Sequence, residues 1–348
     1  MLSAEKEADA AHDILLISQH STLSTQHLPR HSALFPPTMD ASLFGLIVAD
    51  VIGEPVDLRR PPPPGGLHIV RSITLTTGGN VCNSGVAMAK LGMRVAAAGL
   101  VGDDVLGVAV IDRLKAAGVD TAGVFTTDKA QTSATMVAVE PGGERVFFHT
   151  PGATALLDAD AFRKCFPIFA KCQWLQIGYF GLLPALTEDL PDLLRELRAA
   201  APRLRIALDT VNPPAAADLL WPILPFIDLF CPSRTEAAAL TGDSDPARMA
   251  GVFLHEMSEQ GVVAIKLDAD GCYIESESGG QRVPAYRVNV VDTTGAGDTW
   301  FGALLTGLIR RMPMGNAARF ANRAAADCCT ALGASAGVRS FEETLARI

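Results

Sequence analysis

The stretch VVDTTGAGDTWFGALLTG, Val290 to Gly307, places three small residues directly before an acid. Gly295, Ala296 and Gly297 precede Asp298 at the predicted start of a buried helix, whose apolar residues recur at helical spacing: Phe301, Leu304, Leu305, Leu308 and Met312. Unpaired backbone amides and the helix dipole both favour an anion at such a position. The stretch therefore predicts an anion hole beside an acid.

Asp298 has two interpretations at this position. As a helix N-cap it would stabilise the helix by about 1 kcal/mol, because Asp is among the best capping residues. As a general base it would take the proton of a hydroxyl that attacks a phosphoryl group. The stretch alone leaves both open.

Two well-known phosphate-binding motifs are excluded. No Lys follows the glycines, as a Walker loop requires. The spacing of Gly295, Gly297 and Gly302 also differs from a dinucleotide fingerprint, which opens a first strand–helix unit rather than lying near the C-terminus.

A second set of candidate residues lies near the N-terminal end. Gly78 and Gly79 end an extended segment and Asn83 is predicted to open a helix, which suits close contact with a polyhydroxylated ligand or a simple capped turn. Asp50 ends the first predicted strand, at the edge of a parallel sheet where ligands usually bind. Its carboxylate could accept two hydroxyl hydrogen bonds, or it could be a solvated strand end.

The elements that would position these residues alternate strand and helix. Strands are predicted at 43–52, 94–102, 173–180, 205–212, 226–233, 261–268 and 285–291, and helices at 83–91, 106–117, 186–200, 234–240, 246–260, 299–311 and 315–331. Strands that are apolar on both faces, joined by helices, indicate a doubly wound α/β fold with a mostly parallel sheet. Segments 55–77 and 131–149 instead alternate apolar and polar residues, which predicts a small antiparallel sheet.

The amino-acid composition makes two classes of function unexpected, nucleic-acid binding and membrane association. The 348 residues are 49% hydrophobic and carry a net charge of -9, which suits a large core and makes a nucleic-acid groove unexpected. No apolar run reaches the roughly 18–20 residues that span a bilayer, so no membrane partner is expected. Seven cysteines without a Cys-x-x-Cys pair indicate reduced core thiols in a cytoplasmic protein.

The first 38 residues lack periodicity and predict a flexible tail, with residues 39–348 as the folded domain. Translation that starts at Met39 is the alternative. Four histidines of this segment have the irregular spacing expected of residues without a metal role: His12, His20, His27 and His31.

Taken in order, these motifs resemble the ribokinase-like carbohydrate kinases of the PfkB family, over residues 44–347. The resemblance is carried by GGNVCNSGVAMAKLGMRVAAAGLVGDDVLG, by VVDTTGAGDTWFGALLTG, and by the closing ARFANRAAADCCTALGASAG. It implies a ribokinase-like fold in which the two alternating segments form a lid. It also implies ATP and Mg²⁺ as cofactors and leaves a K⁺ requirement open.

The resemblance assigns roles to particular positions. Asp298 would be the catalytic base, and Gly295, Ala296 and Gly297 would donate amides to the transferred phosphoryl group. Sugar hydroxyls would bind Asp50, Gly78, Gly79 and Asn83. Glu236 would hold Mg²⁺ through water, beside Ser233. Adenine would lie between the segment of Lys266, Asp268 and Gly271 and the helix around Asn322. Asp292 and Thr294 would cage a monovalent cation with the loop from Gly333 to Gly337.

Two positions depart from the family pattern. Ser233 stands where many members have Asn, and Asp268 stands where Gly often follows Lys-Leu near the nucleotide. Asp268 is therefore expected to point outward or to bind through a cation.

The sequence thus predicts an ATP-dependent kinase for a hydroxyl of a small sugar or sugar-like molecule. A nucleoside kinase with Phe147 and Phe148 as a base clamp is one alternative, and a non-catalytic sugar-binding regulator is another. A homodimer is predicted through an apolar lid face of four alternating residues: Val137, Val139, Val146 and Phe148.

Overall fold

The computed structural model describes residues 37–60, 63–142, 144–211 and 217–348. All but the last two residues of the predicted tail lie outside these ranges, including its four histidines. The tail and the domain boundary at residue 39 therefore stay predictions. No helix in the described ranges is both long enough and apolar enough to span a membrane.

The described residues contain thirteen strands in two sheets. In chain order, β1 to β13 span Met39–Phe44, Val48–Glu54, Ser72–Gly78, Val95–Gly102, Asp120–Thr127, Ala134–Val139, Arg145–Thr150, Cys172–Phe180, Arg205–Thr210, Leu229–Phe230, Val262–Lys266, Cys272–Ser276 and Gly279–Val283. The central sheet has the order β13-β12-β11-β10-β9-β8-β1-β4-β5, and the small sheet has the order β3-β2-β6-β7.

Eleven α-helices connect these strands within the described ranges. In chain order, α1 to α11 span Gly79–Lys90, Val105–Ala116, Ala159–Lys164, Phe166–Phe169, Leu190–Ala200, Ala217–Leu220, Arg234–Thr241, Pro246–Glu256, Ala296–Ile309, Met314–Cys328 and Phe341–Leu345.

The central sheet lies between two hydrophobic clusters. Its strands pair in parallel except for β12 and β13, which are antiparallel. One cluster contains residues of α1, α9 and α10, such as Met88, Phe301 and Phe320. The other contains residues of α3, α5 and α8, such as Phe162 and Leu193. Helices on both faces of a mostly parallel sheet confirm the predicted doubly wound fold.

The predicted first strand is two strands in different sheets. The chain leaves β1 of the central sheet at Gly45, whose φ is 141°, and enters β2 of the small sheet at Val48. Asn80 of α1 holds this break: its side chain accepts a hydrogen bond from the Leu46 amide at 2.9 Å and donates to the Phe44 carbonyl at 3.2 Å. Asp50 therefore lies inside β2, and its predicted position at the end of a central strand is wrong.

The small sheet confirms the predicted lid architecture but not all of its bounds. Strand β3 covers the end of segment 55–77, and β6 and β7 form the predicted hairpin. The described residues between Pro55 and Arg71 form no strand, and β2 is an additional member. β2 and β6 pair in parallel, so the sheet is mixed rather than purely antiparallel.

The predicted apolar dimer face combines residues from two faces of the hairpin. Val137 pairs with Phe147 and Met136 pairs with Phe148, so Val137 and Phe148 point to opposite sides. Val137 and Val139 are buried, whereas Val146, Phe147, Phe148 and Met136 are exposed. The dimer itself stays a prediction.

The predicted strand at 285–291 is also wrong. Strand β13 ends at Val283, and residues 284–290 continue without strand pairing. They lead directly into the loop before α9.

Candidate functional site

The side chain of Asp298, in the first turn of α9, does not cap this helix. Gly295 is the N-cap of α9, and no side chain in the described ranges caps this helix end. The Oδ2 atom of Asp298 instead accepts a hydrogen bond from Asn83 Nδ2 at 2.8 Å and from the Tyr179 hydroxyl at 2.8 Å. The capping interpretation of Asp298 is therefore wrong, and its carboxylate is held by α1 and β8.

Burial dominates the electrostatics of this carboxylate. Asp298 is only 5% exposed, and this burial raises its pKa, although hydrogen bonds from Asn83 and Tyr179 oppose the rise. A carboxylate with a raised pKa and two positioned donors is suited to take a proton near neutral pH.

The three small residues before Asp298 leave the start of α9 open to a ligand. Gly295 has a φ of 70°, and a Cβ there would lie 2.5 Å from the Cβ of Ala334, so only glycine fits without displacement. No acceptor among the described residues pairs with the amides of Gly297 and Asp298. The predicted anion hole was assigned to the amides of Gly295, Ala296 and Gly297, but the Ala296 amide donates to the Thr293 carbonyl at 3.2 Å. The amides of Gly297 and Asp298 are therefore the ones oriented to bind an anion at this helix end.

Lys266 provides a positive charge opposite this hole. A Cβ placed on Gly297 would have Lys266 Nζ as its nearest atom, at 3.9 Å. Burial alone would lower the pKa of Lys266, but Asp209 and Glu236 together raise it above its ordinary value. The ammonium of Lys266 thus faces the start of α9, and the predicted contact of its segment with adenine stays a prediction.

Asp209 and Tyr179 complete a network between Lys266 and Asp298. Lys266 Nζ lies 3.9 Å from Asp209 Oδ2, and Asp209 Oδ1 accepts a hydrogen bond from the Tyr179 amide at 2.7 Å. Burial raises the pKa of Asp209 to about 7, although the positive charge of Lys266 opposes the rise. The Tyr179 backbone adopts a φ of 58°, which is rare for a non-glycine residue and directs its hydroxyl toward Asp298.

A cavity of about 810 Å³ extends from Asp298 and Lys266. Its volume lies within the range of ligand pockets, roughly 300–1,000 Å³. Its far part is bounded by the segments 285–288 and 268–271 and by α10.

Several predicted nucleotide residues lie at this cavity. Asp268 is exposed at the rim, as expected for an acid that points outward. A Cβ on Gly271 would lie 2.1 Å from the Val283 carbonyl oxygen, so only glycine fits at this position without displacement of the backbone. Asn322 accepts from Trp300 Nε1 at 2.7 Å and donates to the carbonyls of Val283 and Pro284. All of its polar atoms are thereby used, so Asn322 positions the cavity wall.

Glu236 and Ser233 form a reciprocal capping box at the start of α7. Glu236 Oε2 accepts from the Ser233 amide at 2.7 Å and from the Thr210 hydroxyl at 3.0 Å, and the residue lines the cavity. Among the described residues no three His, Cys, Asp or Glu side chains form a metal-binding group. The role of Glu236 in holding Mg²⁺ through water stays a prediction.

The predicted sugar residues lie in the small sheet, which contains Asp50 and Gly78, and in α1, which contains Gly79 and Asn83. A Cβ on Gly78 would lie 2.2 Å from Asp50 Oδ2, so any residue with a side chain at this position would displace the Asp50 carboxylate. Gly78 caps α1, which begins at Gly79, so Asn83 lies in the second helical turn and does not open the helix. Asp50, Asp209 and Asp298 all raise the pKa of the Tyr179 phenol, which burial raises most. Asp50 thus lies close to the Asp298 site.

The Arg145 side chain lies at the predicted cation site, where it contacts Asp292 and Thr294. Asp292 Oδ1 accepts from Arg145 Nη1 at 2.6 Å and from the Thr294 amide at 2.7 Å, and Oδ2 accepts from the Gly333 amide at 2.7 Å. Gly337 packs elsewhere, since a Cβ there would lie 2.1 Å from the Asp327 carbonyl.

Sequence reasoning missed Tyr179, Asp209, Thr210 and Arg145. Asp209 and Thr210 follow the apolar run of β9, and polar residues at that strand end were a usable signal. Tyr179 and Arg145 gave no local signal, because their site partners are 119 and 147 residues away.

Comparison with known proteins agrees with this geometry. The profile of the pfkB family carbohydrate kinases matches residues 40–340. Ribokinase of Haemophilus influenzae is 28% identical over 309 residues, which cover 87% of this chain and 96% of that protein. The probable fructokinase-5 of Arabidopsis thaliana is 30% identical over 293 residues, 78% of this chain and 89% of that protein.

A solved structure has the same fold. The structure of Arabidopsis thaliana ribokinase complexed with ribose and ATP superposes with a TM-score of 0.75 at 20% identity, covering 88% of this chain and 98% of that one. The family match, the anion hole and the buried Asp298 lead to one conclusion: this chain belongs to the PfkB family of ATP-dependent carbohydrate kinases.

Proposed function

We propose that the protein transfers the γ-phosphoryl group of ATP to a primary hydroxyl of a small sugar, with Asp298 as the general base. The observation that carries the proposal is the buried Asp298 carboxylate, with a raised pKa, beside the unpaired amides of α9. The relatives named ribokinase and fructokinase support a pentose or a ketohexose as substrate.

Asp298 would accept the proton of the sugar hydroxyl as that oxygen attacks phosphorus. Asn83 and Tyr179 keep one carboxylate oxygen in place by donating to Oδ2, which leaves Oδ1 for the substrate. The negative charge of Asp298 is then compatible with phosphate binding at the neighbouring anion hole, because the acceptor hydroxyl would lie between the carboxylate and the phosphoryl group.

The amides of Gly297 and Asp298 and the Lys266 ammonium would stabilise negative charge on the transferred group. Phosphoryl transfer depends chiefly on positioning and on such charge stabilisation. Bound Mg²⁺ would neutralise phosphate charge, and Glu236 would hold its water ligands. A net charge of -9 is therefore compatible with an anionic cosubstrate.

Asp50, Gly78, Gly79 and Asn83 would bind sugar hydroxyls from the lid side. The backbone of β2 carries Asp50, and β2 pairs with β3 and β6. Lid closure over the sugar would exclude water and so limit ATP hydrolysis.

ADP release measured with ribose, fructose, keto-deoxy acids and nucleosides tests the substrate class. We expect turnover with a pentose or ketohexose at least about tenfold above that with adenosine, equivalent to about 1.4 kcal/mol of transition-state binding. Turnover confined to nucleosides would support the nucleoside kinase, although Phe147 and Phe148 point to opposite faces of the hairpin and so do not form the predicted base clamp. Sugar binding without turnover would indicate a regulator.

Tyr179→Phe should shift the pH dependence of the reaction. The Tyr179 hydrogen bond lowers the pKa of Asp298, so its loss raises that pKa further. We expect the acidic limb of the kcat–pH profile to move to higher pH, with kcat at neutral pH reduced by about tenfold. An unchanged profile would exclude the contact from the reaction.

Sugar binding should weaken in mild acid. Burial raises the pKa of Asp50 to about 6, although a hydrogen bond from Thr135 lowers it. Above this pKa the carboxylate accepts sugar hydroxyls; below it, protonation removes that capacity. We therefore expect KM for the sugar to rise as pH falls through 6, while Asp50→Asn shows a high KM without this dependence. A pH-independent wild-type KM would contradict the role of Asp50.

A further inference from the structure

Arg145 is a lid residue whose side chain leaves the lid for the loop before α9. It begins β7, opposite Val139 in the hairpin. Its guanidinium is 2.6 Å from Asp292, and the two side chains are 15% and 3% exposed. The same nitrogen donates to the Thr294 hydroxyl. The contact therefore joins the lid to the loop that leads into the anion hole.

The buried carboxylate of Asp292 requires a positive partner. Burial alone would raise its pKa, but the amides of Gly333 and Thr294 and the Arg145 guanidinium hold that pKa below its ordinary value. A charge at 3% exposure without a partner would strongly destabilise its surroundings. Arg145 supplies that partner from the chain itself.

The groups around Asp292 do not fit a free monovalent cation. Both carboxylate oxygens face N–H donors, and amides and a guanidinium repel a cation where carbonyl oxygens would bind it. The expectation that Asp292 and Thr294 cage such an ion therefore disagrees with the geometry.

We propose that Arg145 is a tethered cation that replaces a free monovalent ion at Asp292 and positions the phosphate-binding loop. Residues 293–295 lie between Asp292 and α9, so fixing Asp292 and Thr294 also fixes the amides of the anion hole. Because β7 pairs with β6 and β6 with β2, the same contact links the loop to the strand that carries Asp50. This inference rests on the proposed function only where it predicts kinetic constants, such as KM and kcat/KM for ATP.

The wild-type protein provides the first test, without any variant. Nucleotide affinity is measured by calorimetry with a non-hydrolysable ATP analogue and Mg²⁺, in tetramethylammonium and in potassium buffers. We expect the two dissociation constants, and the two values of kcat/KM for ATP, to agree within about twofold. A tenfold or larger gain with K⁺ would overturn the proposal.

Arg145→Ala provides the second test, with Arg71→Ala as the matched control. Arg71 also pairs with a lid carboxylate, Glu54 at 3.1 Å, but its side chain is 72% exposed. In tetramethylammonium we expect Arg145→Ala to raise KM for ATP about tenfold or more and KM for the sugar less. Arg71→Ala should match the wild type.

Chemical rescue separates positioning from folding. We expect added guanidinium ion at low concentration to restore nucleotide affinity to Arg145→Ala, and Arg145→Lys to retain much of it. Equal behaviour of the Arg145 and Arg71 alanine variants would overturn the proposal. Because calorimetry with the analogue needs no turnover, its result holds even if the proposed sugar reaction fails.

Discussion

Asp298→Asn is expected to lower kcat by roughly 10²–10⁴, the usual contribution of a general base. Asparagine has nearly the same shape and its oxygen still accepts the hydrogen bonds of Asn83 and Tyr179, so the fold should be retained. It cannot take a proton, so the sugar hydroxyl would attack without activation. Steady-state kinetics at saturating ATP and sugar would measure the loss.

The control for this variant is binding. Calorimetry should give sugar and nucleotide dissociation constants within about threefold of the wild type, a change of roughly 0.7 kcal/mol. Near-wild-type turnover in Asp298→Asn would contradict the base assignment, and Asp298 would then have only a structural role.

Lys266→Met is the second substitution with a large expected effect. Its ammonium faces the open side of Gly297, where charge would develop on the transferred group in the proposed reaction. Removing one preorganised donor of this kind lowers kcat by roughly 10²–10³. Methionine keeps much of the buried volume of lysine, so packing against the cavity wall should change little.

Two controls separate this effect from instability. Lys266→Arg keeps the charge and should retain more activity than Lys266→Met. Asp209 loses a charged neighbour in Lys266→Met, but its pKa of about 7 allows it to be neutral at little cost. If kcat of Lys266→Met stayed within a few-fold of the wild type while thermal unfolding was unchanged, Lys266 would have no part in phosphoryl transfer.

The sequence predicted the seven longer helices because their signals are local, and it missed the four shortest, α3, α4, α6 and α11. The helix expected at 234–240 is α7, Arg234–Thr241, and the helix expected at 299–311 is α9, Ala296–Ile309. The GAGD stretch also located the start of α9, where the amides of Gly297 and Asp298 find no acceptor among the described residues.

Predictions failed where distant residues decide the conformation. The apolar run at 43–52 gives no sign of the break at Gly45, which depends on the Asn80 side chain from α1. The capping interpretation of Asp298 failed because its carboxylate pairs with Asn83, 215 residues away. The role of Arg145 could not be predicted for the same reason, because its partner Asp292 lies 147 residues away, in the loop before α9.

The most direct measurement of the central claim follows the γ-phosphate itself. The protein is incubated with Mg²⁺, γ-³²P-labelled ATP and ribose or fructose, and the labelled products are separated. We predict label in a sugar phosphate, formed by the wild type and lost in Asp298→Asn. Label found only in inorganic phosphate, or remaining in ATP while the sugar binds, would contradict the account.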